Sequence, residues 1–266
     1  MRKQPSARRT DANEIVYGLR AGLAVFDKHP EKIFRVAYHR EMRRHLSALE
    51  RWAVAHRISC VEVTEDDLAR FSGAKNHEGL CLEVISRQWI APQELADSLV
   101  RTKGTAIALE RIRNPYNIGA ILRSAAFFGM DAALLGAPAP HPGLPAEAVR
   151  VAEGGAELLD FARTTDLPDT LGRLRARGIT VIGAESEAAV NAIGYAYSRP
   201  VVIVLGHERE GLSDRAKAQC DALVAIPGLS SLRSLNVSVA ASVLFAEVVR
   251  DRLRQTRGGP SSIRKA

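Results

Sequence analysis

The chain has 266 residues, 46% of them hydrophobic and 25% charged, which is the balance of a globular protein and too apolar for a disordered one. Lys plus Arg is 37 against 30 for Asp plus Glu, and the net charge of +7 favours a polyanionic partner, because clustered cationic side chains release the counterions of a phosphate chain. No apolar run approaches the roughly 18 residues of a membrane span, no apolar segment follows the basic start as in a secretory signal, and Cys60, Cys81 and Cys220 lack metal-ligand or disulfide spacing, so a cytoplasmic protein without membrane or metal is expected.

Residues 1–11, with Arg2, Lys3, Arg8 and Arg9, are expected to form a disordered basic tail. Ile15, Val16, Leu19, Leu23 and Phe26 recur at helical spacing and predict a helix ending near His29 and Pro30. Ile33–Tyr38 alternates as a strand. Arg40–Arg57 is predicted as one helix, with Leu46, Leu49, Trp52 and Ala53 inward and Arg40, Arg43, Arg44, Arg51 and Arg57 outward. That arginine face reads either as a solvated surface or as an RNA contact. A strand over Ser59–Val63, a short helix over Glu65–Phe71 and a strand over Leu80–Ile85 complete a small α/β unit, residues 12–87, of a size to be its own domain. Residues 88–104 form a linker with a short helix, Pro92 standing in its first turn.

From Thr105 strands and helices alternate. Strands are predicted at Thr105–Leu109, Ala132–Leu135, Ile179–Ala184, Val201–Leu205 and Ala222–Ile226. Helices are predicted at Asn117–Phe128, Leu144–Ala152, Leu167–Arg177, Leu212–Cys220 and from Val237 onward. This alternation means a mostly parallel sheet covered on both faces, here a second domain over residues 105–254, followed by a disordered tail over 255–266.

Three stretches each follow an apolar strand and lead to a helix: Asn114-Pro-Tyr-Asn-Ile-Gly-Ala-Ile-Leu-Arg123, Leu205-Gly-His-Glu-Arg-Glu-Gly211 and Ile226-Pro-Gly-Leu-Ser-Ser-Leu-Arg-Ser-Leu-Asn236. In an open parallel sheet, ligand sites lie beyond the carboxyl ends of the strands, where these stretches fall. In the third, Ser234 or Asn236 is a good N-cap for the last helix, whose free N–H groups and positive dipole end then point at whatever occupies the site. No G-x-G-x-x-G follows a strand, and no phosphate-loop G-x-x-x-x-G-K-[ST] occurs, so dinucleotide oxidoreductases and phosphate-loop NTPases are set aside.

In this order and strand context the three stretches resemble the SpoU/TrmH family of RNA ribose 2'-O-methyltransferases, in the SPOUT superfamily. The resemblance implies a trefoil-knot fold in which 206–236 is tucked through an earlier loop to form the cofactor pocket, and a homodimer whose sites are completed near the subunit interface. Asn13-Glu-Ile-Val-Tyr-Gly18 and Asn76-His-Glu-Gly79 are similar to the small L30e-like substrate-binding domain that precedes the catalytic domain in many members; Glu78 stands where the family more often has Gln. S-adenosyl-L-methionine is the implied cofactor, held by Leu205, Gly206, Ile226, Gly228 and Leu235, with RNA, either rRNA or tRNA, as substrate.

The implied catalytic residues are Arg123, Asn117, Glu208, Ser234 and Asn236. Guanidinium stays protonated in proteins, so Arg123 is expected to bind a phosphate and stabilise the emerging alkoxide rather than to take a proton. Each position has a plainer reading beside this one. Gly206 makes a turn, Asn117 caps a helix, and Arg123 pairs with Glu110 or Glu208. Glu208 either orients Arg123 or merely complements a helix start. Gly228, Ser230 and Arg233 stand where the family's third motif usually has Met, Gly and Glu, and Arg233 adds positive charge beside the site. The alternative from another class is a non-catalytic RNA-binding protein that retains the fold.

Overall fold

The computed structural model describes residues 13–136 and 143–256. The expected basic tail over 1–11, and all but the first two residues of the expected tail over 255–266, lie outside the described residues.

The N-terminal part runs β1 (Asn13–Tyr17), α1 (Leu19–Lys28), β2 (Ile33–Tyr38), α2 (Ser47–Ala55), β3 (Ser59–Glu62), α3 (Glu65–Ser72) and β4 (Leu80–Ile85). Its four strands form a sheet of order β1-β4-β2-β3. Two predicted helices are corrected here. The expected helix from Asn13 is a strand first, paired antiparallel with β4 from Asn13–Ile85 to Tyr17–Cys81. Ile15, Val16 and Tyr17 are branched or aromatic residues suited to a pleat, and Gly18, at φ 99°, turns the chain before α1 begins. The predicted Arg40–Arg57 helix is broken: a 3-10 turn covers Arg40–His45, the chain turns at the fully buried Leu46, and α2 follows. All five arginines of that stretch are exposed.

The remainder is α4 (Pro92–Thr102), β5 (Thr105–Glu110), α5 (Pro115–Phe127), β6 (Ala132–Gly136), α6 (Ala146–Val151), β7 (Asp160–Thr164), α7 (Leu167–Ala176), β8 (Thr180–Ala184), β9 (Val190–Asn191), β10 (Val201–Leu205), α8 (Asp214–Lys217), β11 (Ala222–Ala225) and α9 (Val237–Thr256). The strands form one seven-stranded sheet of order β7-β6-β5-β10-β8-β11-β9. Every pairing in it is parallel. Strands β7 and β9 escape sequence reading. The first, Asp-Phe-Ala-Arg-Thr, has polar residues at three of its five positions, and the second is two residues long.

Alternation along the central strands sends side chains to two cores. Ile107 and Leu109 of β5, with Val201, Ile203 and Leu205 of β10, pack with Ile118, Ile121 and Leu122 of α5 and Leu244 of α9. Ala106, Ala108, Val202 and Val204 point the other way, toward Leu95 and Leu99 of α4 and Leu171 of α7. Residues 88–104, read from sequence as a connection, therefore contribute a packed helix. The first core also continues into Val16, Val36, Leu80 and Leu82, so the small sheet and the parallel sheet share buried surface.

Candidate active site

Strands β5 and β10 lie side by side. From β5 the chain moves outward to β6, and from β10 it moves past β8 to β11 on the other side. Reversals of this kind open a crevice at the strand ends.

The loop after β10 closes on itself. His207 N–H donates to the Gly211 carbonyl at 3.0 Å and Gly211 N–H donates back to the His207 carbonyl at 2.9 Å. Gly206 makes this possible, since a Cβ there would lie 2.3 Å from the carbonyl carbon of Gly211 and 2.4 Å from the nitrogen of Leu212. The close backbone approach is thus made by the loop's own chain, in line with the plainer reading of Gly206 as a turn residue. Two residues at the end of β5, which sequence reading gave no role here, staple the loop. The buried Glu110 accepts from Ser213 N–H at 2.8 Å and from Ser213 Oγ at 2.5 Å. Arg111 donates to Glu210 at 2.5 Å and to the Gly211 carbonyl at 3.3 Å.

Asn114 caps α5, accepting from Tyr116 N–H at 2.9 Å, and Asn117, one turn in, is buried. Asn117 Nδ2 donates to Glu208 Oε1 at 3.0 Å, and its Oδ1 accepts from Asn236 Nδ2 at 3.1 Å. Asn236 Oδ1 accepts in turn from Ser238 N–H at 2.8 Å and Ser238 Oγ at 2.7 Å, so Asn236, not Ser234, holds the start of α9. A hydrogen-bond chain therefore joins one polar residue from each of the three stretches. Burial pulls the Glu208 carboxyl upward, but bonds from Asn117 and from backbone amides outweigh it and hold the group below the ordinary Glu value.

Beside this chain lies a cavity of about 300 Å³. Leu205, Gly206, Ile226, Gly228 and Leu235 all line it, as do Glu208 and Ser234. Val237, Ala240 and Leu244 of α9 add apolar wall. Glu185, just past β8, lines the same cavity and pairs with Lys217 at 2.6 Å. No motif marked it in the sequence; only its place at a strand tip could have.

Arg123 stands elsewhere. Six residues on from Asn117, its side chain leaves α5 about 240° around the axis. It is 54% exposed and pairs with Glu153 at 2.9 Å. Neither partner expected for it serves, since Glu110 is bonded to Ser213 and Glu208 orients Asn117 rather than Arg123. Among the described residues, no group of three or more His, Cys, Asp or Glu is placed to hold a metal ion, and no helix is long and apolar enough to cross a membrane.

A parallel α/β sheet with an apolar, carboxylate-edged cavity beyond the tips of neighbouring strands is the arrangement in which open α/β proteins hold small ligands. Residues 104–246 match the SpoU rRNA Methylase family, and residues 15–89 match the RNA 2'-O ribose methyltransferase substrate binding family. The chain belongs to the SpoU family of RNA methyltransferases. It is 34% identical over 247 residues to the uncharacterized tRNA/rRNA methyltransferase YfiF of Escherichia coli O157:H7, covering 90% of this chain and 69% of that one. It is 30% identical over 245 residues to the 23S rRNA (guanosine-2'-O-)-methyltransferase RlmB of Vibrio vulnificus (strain CMCP6), covering 91% of this chain and 98% of that one. Its fold is similar to that of the SpoU methyltransferase AviRb from Streptomyces viridochromogenes in complex with AdoMet, at a TM-score of 0.75 and 22% identity over 91% of this chain and 92% of that one.

Proposed function

We propose that the protein methylates a ribose 2'-hydroxyl in structured RNA, rRNA or tRNA, with S-adenosylmethionine as donor. The observation that carries this reading is the cavity at the strand tips, with the Glu208–Asn117–Asn236 chain along its edge. Its apolar walls, Leu205, Ile226, Leu235 and Leu244, suit the flat face of an adenine. The carboxylates Glu185 and Glu208 can accept from hydroxyl or amino groups and complement a positively charged donor. Leu205, Gly206, Ile226, Gly228 and Leu235 would hold the cofactor, which when bound would supply an electrophilic methyl group to the 2'-oxygen, with S-adenosylhomocysteine as the leaving group and the hydroxyl proton passing to solvent.

The chain's part is to place the acceptor in line. Asn117 is fixed by bonds on both sides of its amide, and Ser234 stands on the cavity wall with its hydroxyl available to the ribose. Arg123 remains protonated and serves by holding a phosphate and by stabilising charge on the 2'-oxygen. In a single chain it does not face the cavity. This is the one observation that favours the non-catalytic alternative. A homodimer across α5 and α9 belongs to the methyl-transfer reading: it would cover the large apolar side chains left exposed there, among them Tyr116 at 56%, Phe127 at 83% and Val239 at 49%, and the reading requires that it bring a copy's Arg123 to a neighbouring cavity. The knotted threading of 206–236 and a cytoplasmic location belong to the same reading.

The test is transfer of labelled methyl from S-adenosylmethionine to total RNA from cells lacking the gene, followed by mass-spectrometric mapping of 2'-O-methylnucleosides. One new 2'-O-methylated position is expected. Cofactor binding with no transfer would favour the non-catalytic alternative.

A further inference from the structure

The two N-terminal stretches that carry the substrate-domain likeness meet at one place, and it is the seam with the parallel sheet. Tyr17 ends β1 and Gly18 follows it; Glu78 lies on the turn before β4. Both face Arg150 and Glu147 of α6. Arg150 Nη1 donates to Glu78 Oε1 at 2.7 Å, while its Nε and Nη2 donate to Glu147 Oε1 at 3.2 and 2.5 Å. Glu147 Oε2 accepts from Tyr17 Oη at 2.6 Å. The other Glu78 oxygen accepts from Leu19 N–H at 3.2 Å, at the start of α1.

This seam is built, not incidental. The Arg150 side chain is 10% exposed, and its stem packs where Gly18 has no side chain: a Cβ there would sit 2.7 Å from Arg150 Cγ. Glu78 holds a left-handed backbone, φ 50°, which non-glycine residues adopt at a cost. Its turn is pinned by the buried His77, whose Nδ1 accepts from Gly79 N–H at 3.2 Å. A second ionic contact backs the first, with Arg87 donating to the Ala156 carbonyl at 2.8 Å and to Glu157 at 2.5 Å. Burial raises the Glu147 carboxyl, but bonds from Arg150 and Tyr17 outweigh it and hold the group below the ordinary Glu value.

We infer that Glu78 and Arg150 are positioning residues: they clamp the RNA-binding sheet to α6 and thereby set how far the RNA it grips lies from the methyl-transfer cavity. This deepens the methyl-transfer reading and rests on it. It also gives the carboxylate at position 78 a role that glutamine would fill only in part, since an amide oxygen can accept from Arg150 but only the charged group, with two acceptor oxygens, completes the ion pair and the bond from Leu19 N–H.

The test compares full-length wild type with Arg150→Met, Arg150→Lys and Glu78→Gln. Hydrogen exchange reads the seam, methyl transfer to total RNA from cells lacking the gene reads the role, and calorimetry reads S-adenosylmethionine affinity. Arg150→Met is expected to speed exchange in β1 and α6 and to raise the KM for RNA about tenfold while cofactor affinity stays within about twofold. Arg150→Lys, which keeps the charge without the fork, and Glu78→Gln fall between it and wild type. Unchanged exchange or an unchanged RNA KM in Arg150→Met would overturn the inference. So would an equal loss of cofactor affinity, which would make the network part of the catalytic sheet's own fold. A wild type inactive on this RNA would count against the methyl-transfer reading alone; RNA affinity by fluorescence anisotropy on the same pool, expected to fall about tenfold in Arg150→Met and unchanged if the seam plays no part, then decides.

Discussion

Arg123 and Asn117 share a helix and stand on different sides of it, one exposed and one buried. Asn117 is buried with both ends of its amide bonded, so Asn117→Ala would leave Glu208 Oε1 and Asn236 Nδ2 unpaired; we expect a destabilisation of about 1–3 kcal/mol in denaturant unfolding, together with loss of turnover. Arg123 is tied to the fold by one exposed ion pair, so Arg123→Ala should leave the midpoint within about 1 kcal/mol of wild type and cofactor affinity intact, while turnover falls at least about a hundredfold. Glu208 adds a pH dependence. Its folded value lies below its ordinary 4.5, so the stability its ionised form contributes is complete above that pH and is lost only as pH falls through the depressed value. Glu208→Gln should therefore flatten the acid limb of the stability profile and leave the neutral region level. The cysteines are packing residues, and burial raises the thiols of Cys81 and Cys220 to about 12. Neither should be alkylated by iodoacetamide at about pH 8 in the folded protein, as peptide mass spectrometry would show.

At the scale of elements, the parallel strands and the loops after them were legible because each signal is local. Val201–Leu205 is an unbroken apolar run, as a strand buried on both faces must be. Once β10 and β11 are strands of one parallel sheet, Leu205, Gly206, Ile226 and Gly228 fall at their tips, and the cavity collects them. What was not legible depends on partners far along the chain. Ile15, Val16 and Leu19 fit a helical stripe until β4 is known to pair with Asn13–Tyr17. Glu110 and Glu185 carry no motif; one is bonded to Ser213, 103 positions away, and the other matters only because β8 lies between β10 and β11. The face of α5 that holds Arg123 was ambiguous for the same reason, since Glu153 and Glu208 are both acidic and only packing chooses between them. The loop after β10 offers an element-scale prediction. Gly206→Ala must push Gly211 and Leu212 away, at a cost of about 1–3 kcal/mol, and should weaken cofactor binding in calorimetry even though the added methyl points away from open space.

Over the whole molecule, the two sheets do separate work on a shared core. The turn before α2, α2 itself and the residues after it present Arg40, Arg43, Arg44, Arg51 and Arg57 to solvent, and the parallel sheet holds the cavity. The net charge of +7 suits an RNA substrate, and binding through phosphates should weaken steeply with added salt. Between the two lies the seam of Tyr17, Glu78, Glu147 and Arg150, continuous with the core that runs from Val16 to Leu205. A shared core and a clamped seam describe a fixed arm more than a tethered module. The arrangement has meaning for function only if the cavity at the strand tips is where the methyl donor sits. The direct measurement is a crystal structure of the protein grown with S-adenosylhomocysteine. Density for it is expected between Leu205–Gly206, Ile226 and Leu235, within reach of Glu208; density elsewhere, or an empty cavity at saturating ligand, would contradict a donor site at the strand tips.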